Sequence, residues 1–212
     1  MSLFARISGH FRRRRMRKFA AELRIDGRTR ILDIGGTPEY WSLLAERPRV
    51  TLLNTPRARA DVGDTEWVAG DGRSLPFRDG AFDVVFSNSV IEHVGDAESQ
   101  ERFAREVARV GRRYWVQTPN RWFPVEQHLL TPFVHWLPRA WQRAIVPRFN
   151  LWSLLVPVTP DRRRFYIEHY LSDVRLLSWG EVRRLFPGAQ VIRERVCGVT
   201  KSFVAVKSTP FV

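Results

Sequence analysis

Short apolar runs alternate along this chain with longer stretches in which apolar residues recur every three or four positions. The first run, Ile31, Leu32 and Ile34 with Asp33 among them, ends on Gly35-Gly36. Four more follow at Arg49–Asn54, Trp67–Ala69, Ala81–Ser87 and Arg113–Thr118. Runs of this length read as buried strands. Between them the pattern predicts a helix over 38–46 opened by Pro38, a helix beginning at Asn88-Ser89, and a helix over 98–110. In the last of these, Phe103, Val107 and Val110 fall on one face and Gly111 stands as the C-cap. Further on, 178–186 reads as a helix, and Ala189–Val196 and Ser202–Val206 as an antiparallel pair of strands joined around Gly198. Strands alternating with helices at this spacing give an α/β chain. Its sheet is doubly wound and mostly parallel, with seven strands of which the last is antiparallel.

Two segments depart from that rhythm. Residues 119–170 hold Trp122, Trp136, Trp141 and Trp152, half of the eight tryptophans, together with seven prolines. The segment is too apolar for a solvated linker and too rich in proline for one long helix. It is expected to form a cap of short helices over the carboxyl edge of the sheet, enclosing a pocket for an apolar or partly apolar substrate. Residues 2–24 form the other segment. Phe4, Ile7 and Phe11, then Met16, Phe19 and Leu23, stand at helical spacing with arginines between them. The expected division is a basic helical arm over 1–29, a core over 30–118, the cap over 119–170, and a return to the sheet over 171–212.

Charge sharpens the picture of the arm. Of the net +13, residues 1–30 supply +8 through ten arginines and lysines against Glu22 and Asp26. The arm admits three readings: a helix packed over a cofactor site with a solvated basic face, an interfacial helix on an anionic membrane, or a nucleic-acid arm. An acid-free, arginine-rich start also admits an organelle transit peptide. The most apolar stretches are short and broken by proline, so no transmembrane span is expected, and no secretory signal follows the basic run. One cysteine, Cys197, excludes an internal disulfide and suggests a reducing compartment. Its neighbours Val196 and Val199 suggest a small buried hydrophobe. The expected location is cytoplasmic, with peripheral membrane contact through the arm left open.

The candidate chemistry gathers at strand ends. Asp33 is a charge at the end of an apolar strand, expected to be exposed at the carboxyl edge, where open α/β sheets bind ligands. Gly35 and Gly36 let backbone turn tightly and approach a ligand. Asn54 ends the second strand 21 positions after Asp33, near the usual offset of a ribose-binding residue, about 20.

Three motifs in order resemble those of the class I S-adenosylmethionine-dependent methyltransferases with a type 11 domain. They are Ile31-Leu32-Asp33-Ile34-Gly35-Gly36, Gly70-Asp71-Gly72-Arg73-Ser74-Leu75-Pro76-Phe77 with Asp79–Val85 behind it, and Ser87-Asn88-Ser89-Val90-Ile91-Glu92-His93-Val94. The resemblance implies a Rossmann-like fold, S-adenosyl-L-methionine as cofactor, and methyl transfer. Asp33 would then offset the cofactor's ammonium, and Gly35 and Gly36 would face its methionine tail. Asn54 would meet the ribose. Asp71 would accept from the adenine amino group, Gly72 would give room, and Leu75 or Phe77 would pack on the ring. Ser87 and Asn88 would line the methionine end. Two departures stand out: Thr37 and Glu39 occupy places where further glycines are usual, and Asn54 is neutral where an acid is usual.

A general base is needed only for an acceptor that must lose a proton. The candidates are His93, and His128 with Glu126. Glu168 and His169 are further candidates within Tyr166–Tyr170. No cluster has metal-ligand spacing in the sequence, so no metal is expected. The expected acceptor is a small molecule, a lipid or a glycan. The alternatives are an RNA methyltransferase or a methyltransferase fold without turnover, acting at a membrane surface or in a complex. Against nucleic acid, the chain lacks an Asn/Asp-Pro-Pro-Tyr-type motif and its body is only mildly basic. A nicotinamide dehydrogenase shares the expected sheet, but Gly35-Gly36-Thr37-Pro38 is not G-x-G-x-x-G.

Overall fold

A computed structural model describes residues 3–56, 65–155 and 159–209, without the side chains of 3–8, 10 and 11. The expected apolar positions Phe4, Ile7 and Phe11 therefore lie outside the described residues, as does most of the polar stretch 55–65. Seven strands form one sheet: β1 (Arg30–Ile34), β2 (Arg49–Asn54), β3 (Glu66–Ala69), β4 (Phe82–Asn88), β5 (Gly111–Pro119), β8 (Gln190–Val196) and β9 (Val199–Lys207). Their order is β3-β2-β1-β4-β5-β9-β8. β1 to β5 pair in parallel, and β9 runs antiparallel to both neighbours. The order reverses beside β1, between β1 and β4, which opens a crevice at the carboxyl edge.

Helices cover both faces. On one, α3 (Ala97–Val110) and α7 (Trp179–Leu185) bury Phe103, Val107, Val110 and Val182 against Leu32, Val85 and Val116. On the other lies α1 (Leu3–Glu22), whose Met16 and Phe19, with Leu23 just beyond, pack against Ile31, Phe86, Trp115 and Val204. Phe19 meets Phe86, Trp115 and Trp41 edge-on with centroids 4.9, 5.7 and 6.0 Å apart. Edge-on aromatic pairs add to the burial of their area. These contacts pack α1 on the sheet, and Arg13, Arg14, Arg17 and Lys18 stay exposed. Among the described residues, no helix is long and apolar enough to cross a membrane.

After β5 the chain leaves the sheet. It forms a small hairpin of β6 (Val125–Glu126) and β7 (Thr131–Pro132), then α4 (Arg139–Ile145), α5 (Leu151–Leu155) and α6 (Pro160–Asp173). This segment has its own small core of Leu129, Val134, Val146, Ile167, Tyr170 and Val174.

Several local expectations are corrected. The helix predicted over 38–46 is one turn, α2 (Pro38–Trp41), with Trp41 turned inward. No helix begins at Asn88-Ser89: β4 runs through Asn88, Ser89 takes φ +57°, and a 3-10 turn spans Ile91–His93. Gly111 is the C-cap of α3 as expected, its N–H donating to Val107 O, but it is extended (φ −99°) and opens β5 at once; a Cβ there would lie 2.7 Å from Val85 Cγ2, so close packing requires the glycine. Cys197 is exposed, at a left-handed position of the β8–β9 turn beside Gly198. Trp122, Trp136 and Trp141 also face outward, at 60%, 43% and 61% exposure, and do not line the crevice.

Candidate active site

The first half of the site is the turn after β1. Asp33 is buried, not exposed as expected, because Gly36 and Trp41 close over it. Trp41 Nε1 donates to Asp33 Oδ2 at 2.8 Å, while Oδ1 has no hydrogen-bond partner among the described residues. A Cβ on Gly36 would fall 1.7 Å from Asp33 Oδ2. Gly35 needs its glycine twice over: its φ is +76°, and a Cβ there would lie 2.5 Å from Val90 Cγ2. Its N–H donates to Leu53 O at 2.8 Å. Asn54 Nδ2 donates to Gly36 O at 3.0 Å, so the side chain ending β2 ties down the glycine turn. Burial pushes the Asp33 carboxyl up to about 7, against the lowering effect of the Trp41 hydrogen bond.

Ser87, in register with Ile34, is buried with its Oγ unpartnered among the described residues. The β3 end is arranged otherwise than expected. Asp71 accepts from Arg73 Nε and Nη2, at 3.0 and 2.6 Å, and this partner holds its carboxyl below the ordinary range. Gly72 makes room for Phe103, 2.7 Å from where its Cβ would be. Leu75 belongs to the core, and Phe77 meets Phe82 edge-on. Neither ring-packing candidate stands clear of the core.

The second half is a cavity of about 570 Å³ between the ends of β4 and β5, α1 and the cap. Arg12, Arg15, Asn88, His128, Tyr166 and Lys201 are among its lining. Arg15 donates to Glu194 from Nε (2.9 Å) and Nη2 (2.6 Å), and from Nη1 to Asn88 Oδ1 at 2.5 Å. Asn88 Nδ2 in turn donates to the Tyr40 hydroxyl at 3.3 Å. Nothing in the arginine run marks Arg15 as the one turned inward, apart from its place beside Met16 on the apolar face.

The three catalytic candidates come together here although 33 positions separate His93 from Glu126. His128 Nδ1 lies 2.6 Å from Glu126 Oε1, and His128 Nε2 lies 3.1 Å from His93 Nε2. Leu129 N donates to Glu126 Oε2 at 2.6 Å. His169 stacks on the His93 ring, with centroids 5.4 Å apart and planes 8° from parallel. Both nitrogens of His128 are thus engaged, although its ring lines the cavity. Beside them lies Glu92, which the sequence pattern did not single out. It is buried, accepts from Thr118 Oγ1 at 3.0 Å, and has no partner for Oε1 among the described residues. Its signal in the sequence is a charge directly after the apolar pair Val90-Ile91. Gln100 holds the Ile91–His93 turn by donating to Ile91 O, and Arg175 N donates to Glu92 O. Burial pushes Glu92 up to about 7 and His93 down to about 3. Burial also acts downward on His128, but the Glu126 hydrogen bond and charge outweigh it and the net shift is upward.

Comparison with known proteins follows the same lines. The family model for a methyltransferase domain matches residues 39–113. An uncharacterized methyltransferase of Mycobacterium sp. (strain KMS) is 37% identical over 101 residues, covering 44% of this chain and 38% of the relative. The chain therefore spans well under half the length of that relative. Among solved structures, a protein described as "Putative Zn-dependent Alcohol Dehydrogenases" from Rhodobacter sphaeroides superposes with TM-score 0.60 at 13% identity, over 90% of this chain and 87% of its own. The N-terminal domain of EvdMO1, solved in the presence of SAH and D-fucose, superposes with TM-score 0.55 at 18% identity, over 93% and 82%. At these identities the two structures show a shared fold and nothing finer.

Proposed function

We propose that this chain carries a class I methyltransferase domain, binds S-adenosyl-L-methionine at the Asp33–Gly36 turn and methylates a small molecule held in the cap cavity. The observation that carries the reading is the unpartnered Asp33 Oδ1 beneath a glycine turn that Asn54 pins in place. A buried carboxylate oxygen without a partner is costly unless a ligand satisfies it. The amino group of the cofactor's methionine part is a fitting partner. Ser87 Oγ, buried and unpartnered at the end of β4, offers a second polar contact. Bound there, the cofactor supplies an electrophilic methyl group.

The chain's own contribution is positioning. Asn88 stands between the two halves, fixed by Arg15 and Tyr40, and lines the cavity. In-line transfer draws much of its rate from such placement. An acceptor that is already a nucleophile needs no base. For one that must lose a proton, His128, whose ring lines the cavity and whose Nδ1 is held by Glu126, would have to exchange its Nε2 contact with His93 for the acceptor. Arg12, Arg15 and Lys201 lie on the lining, and this basic wall favours an acceptor carrying an anionic group.

A lipid acceptor presented at a membrane is a second reading, favoured by the exposed Trp141, Phe149, Leu154, Leu155 and Phe165 on the cap. The test is transfer of radiolabel from methyl-labelled cofactor to small-molecule, glycan, lipid and RNA fractions. Label in a low-mass or lipid fraction supports the proposal; label in RNA alone contradicts it.

A further inference from the structure

One ligand atom from each of Glu92, His93 and His128 lies within 4.8 Å of the other two. We propose that these three side chains bind one first-row divalent transition-metal ion, of which Zn²⁺ is the type, and that the ion joins the cap to the sheet. This goes beyond methyl transfer and does not depend on it.

The hydrogen bonding around the cluster turns the ligand atoms toward one another. His128 Nδ1–H donates to Glu126 Oε1 at 2.6 Å, which leaves the Nε2 lone pair aimed at His93 Nε2, 3.1 Å away. A carboxylate on the far nitrogen is the usual support of a metal-binding histidine, since it fixes the tautomer and raises the basicity of the ligating atom. Glu126 is itself anchored by Leu129 N. Thr118 Oγ1 occupies Glu92 Oε2, and Oε1 remains buried without a partner among the described residues. With Nδ1–H of His128 on Glu126, His93 Nε2–H donates to His128 Nε2, and a cation beside the buried Glu92 carboxylate would take the place of that one proton between the two nitrogens.

Distances agree. Nitrogen ligands about 2.0–2.1 Å from a tetrahedral ion stand about 3.3 Å from each other. The two Nε2 atoms are already at 3.1 Å, and a Glu92 rotation within the 4.8 Å cluster brings in the third ligand. His93 lacks a partner on Nδ1 among the described residues; stacking on His169 holds its ring instead. Two histidines and a carboxylate suit zinc, cobalt, nickel or iron better than magnesium or calcium. Glu92 and His93 sit on the turn after β4, and His128 lies between β6 and β7, so one ion would bridge core and cap.

The experiment uses the full chain with Cys197→Ser, which removes the exposed thiol as a competing ligand, after stripping with a chelator. Co²⁺ titration is followed by visible absorption, with elemental analysis for stoichiometry and a Zn²⁺ thermal-shift series in parallel. We expect one ion per chain, visible bands of a low-symmetry site, and a higher melting temperature with Zn²⁺. His93→Ala and His128→Ala should each weaken binding by about a hundredfold or more, while His135→Ala leaves it unchanged. Glu92→Gln keeps the shape and the Thr118 contact, and should show the same loss if either alanine variant fails to fold. An unaltered parent that takes up no stoichiometric ion, or binding that survives His93→Ala with His128→Ala, would overturn the proposal.

Discussion

At one end of the sheet edge, Asp33, Gly35, Gly36 and Asn54 come from a single β1–turn–β2 unit. At the other end, Arg15, Asn88, His93, His128 and Lys201 come from five separate parts of the chain: α1, β4, the Ile91–His93 turn, the β6–β7 connection and β9. The first end is closed by backbone and by glycines that leave no room for a Cβ. The second is closed by side chains from distant parts of the chain: Arg15 reaches Asn88 73 positions away and Glu194 179 positions away. Local geometry specifies the glycine turn compactly, whereas the cavity and its polar lining depend on how distant elements meet.

The comparison can be broken most directly at Gly36. Gly36→Ala must displace the Asp33 carboxylate or open the turn, and we expect at least about a hundredfold weaker binding of S-adenosylhomocysteine by calorimetry, roughly 2.7 kcal/mol. Retained affinity would mean that the turn is not the cofactor seat. On the α1 side, Phe19→Ala should cost about 3–5 kcal/mol in denaturant unfolding, because it empties the centre of an aromatic cluster. Arg13→Ala and Arg14→Ala, on the exposed face, should stay within about 0.5 kcal/mol. Equal effects at the two kinds of position would refute the packed-helix account.

Ionisation separates the two ends again. Asp33 has a folded-state pKa near 7, above its unfolded value of 3.8. The unfolded chain therefore binds fewer protons over that window, and stability falls as pH rises from about 4 to about 7, then levels off. Glu92 acts with the same sign. In metal-free buffer, Asp33→Asn should flatten part of that slope, by up to about 4 kcal/mol across the window, and Glu92→Gln the rest. A slope unchanged in both variants would show that neither carboxyl is buried. Smaller still, Arg15→Ala removes the partner of Glu194 and should cost about 2 kcal/mol, with looser positioning of Asn88 read as a raised KM for the acceptor.

Much of the fold was legible because its signals are local. Ile31, Leu32 and Ile34 announce a buried strand, Phe103, Val107 and Val110 a helix face, and Ser178 with Glu181 closes a capping box at α7. The turn residues Asp33, Gly35, Gly36 and Asn54 were legible for the same reason, though not the burial of Asp33, which depends on Trp41 folding back eight positions later. Misreadings arose where tertiary packing overrides local preference: the helix expected over 38–46 stops at Trp41, which turns into the core. Gly72 and Leu75 also pack with Phe103 and the core, and Asp71 pairs with Arg73, two positions on, contacts the sequence pattern does not announce. The outward tryptophans of the cap were illegible because hydrophobicity alone does not say which side of a short helix is covered. His93, His128 and Glu126 could be chosen one by one as titratable groups, but their meeting, and the part of Glu92 in it, follows only from the docking of the β6–β7 connection on the turn after β4.

The most direct test of the central claim is calorimetric titration of the purified protein with S-adenosylmethionine and S-adenosylhomocysteine, with NAD as a parallel run. The account predicts micromolar binding of both sulfur compounds at one site per chain, loss of that binding in Gly36→Ala, and no heat with NAD. Binding of NAD, or silence with both sulfur compounds in a folded protein, would contradict it.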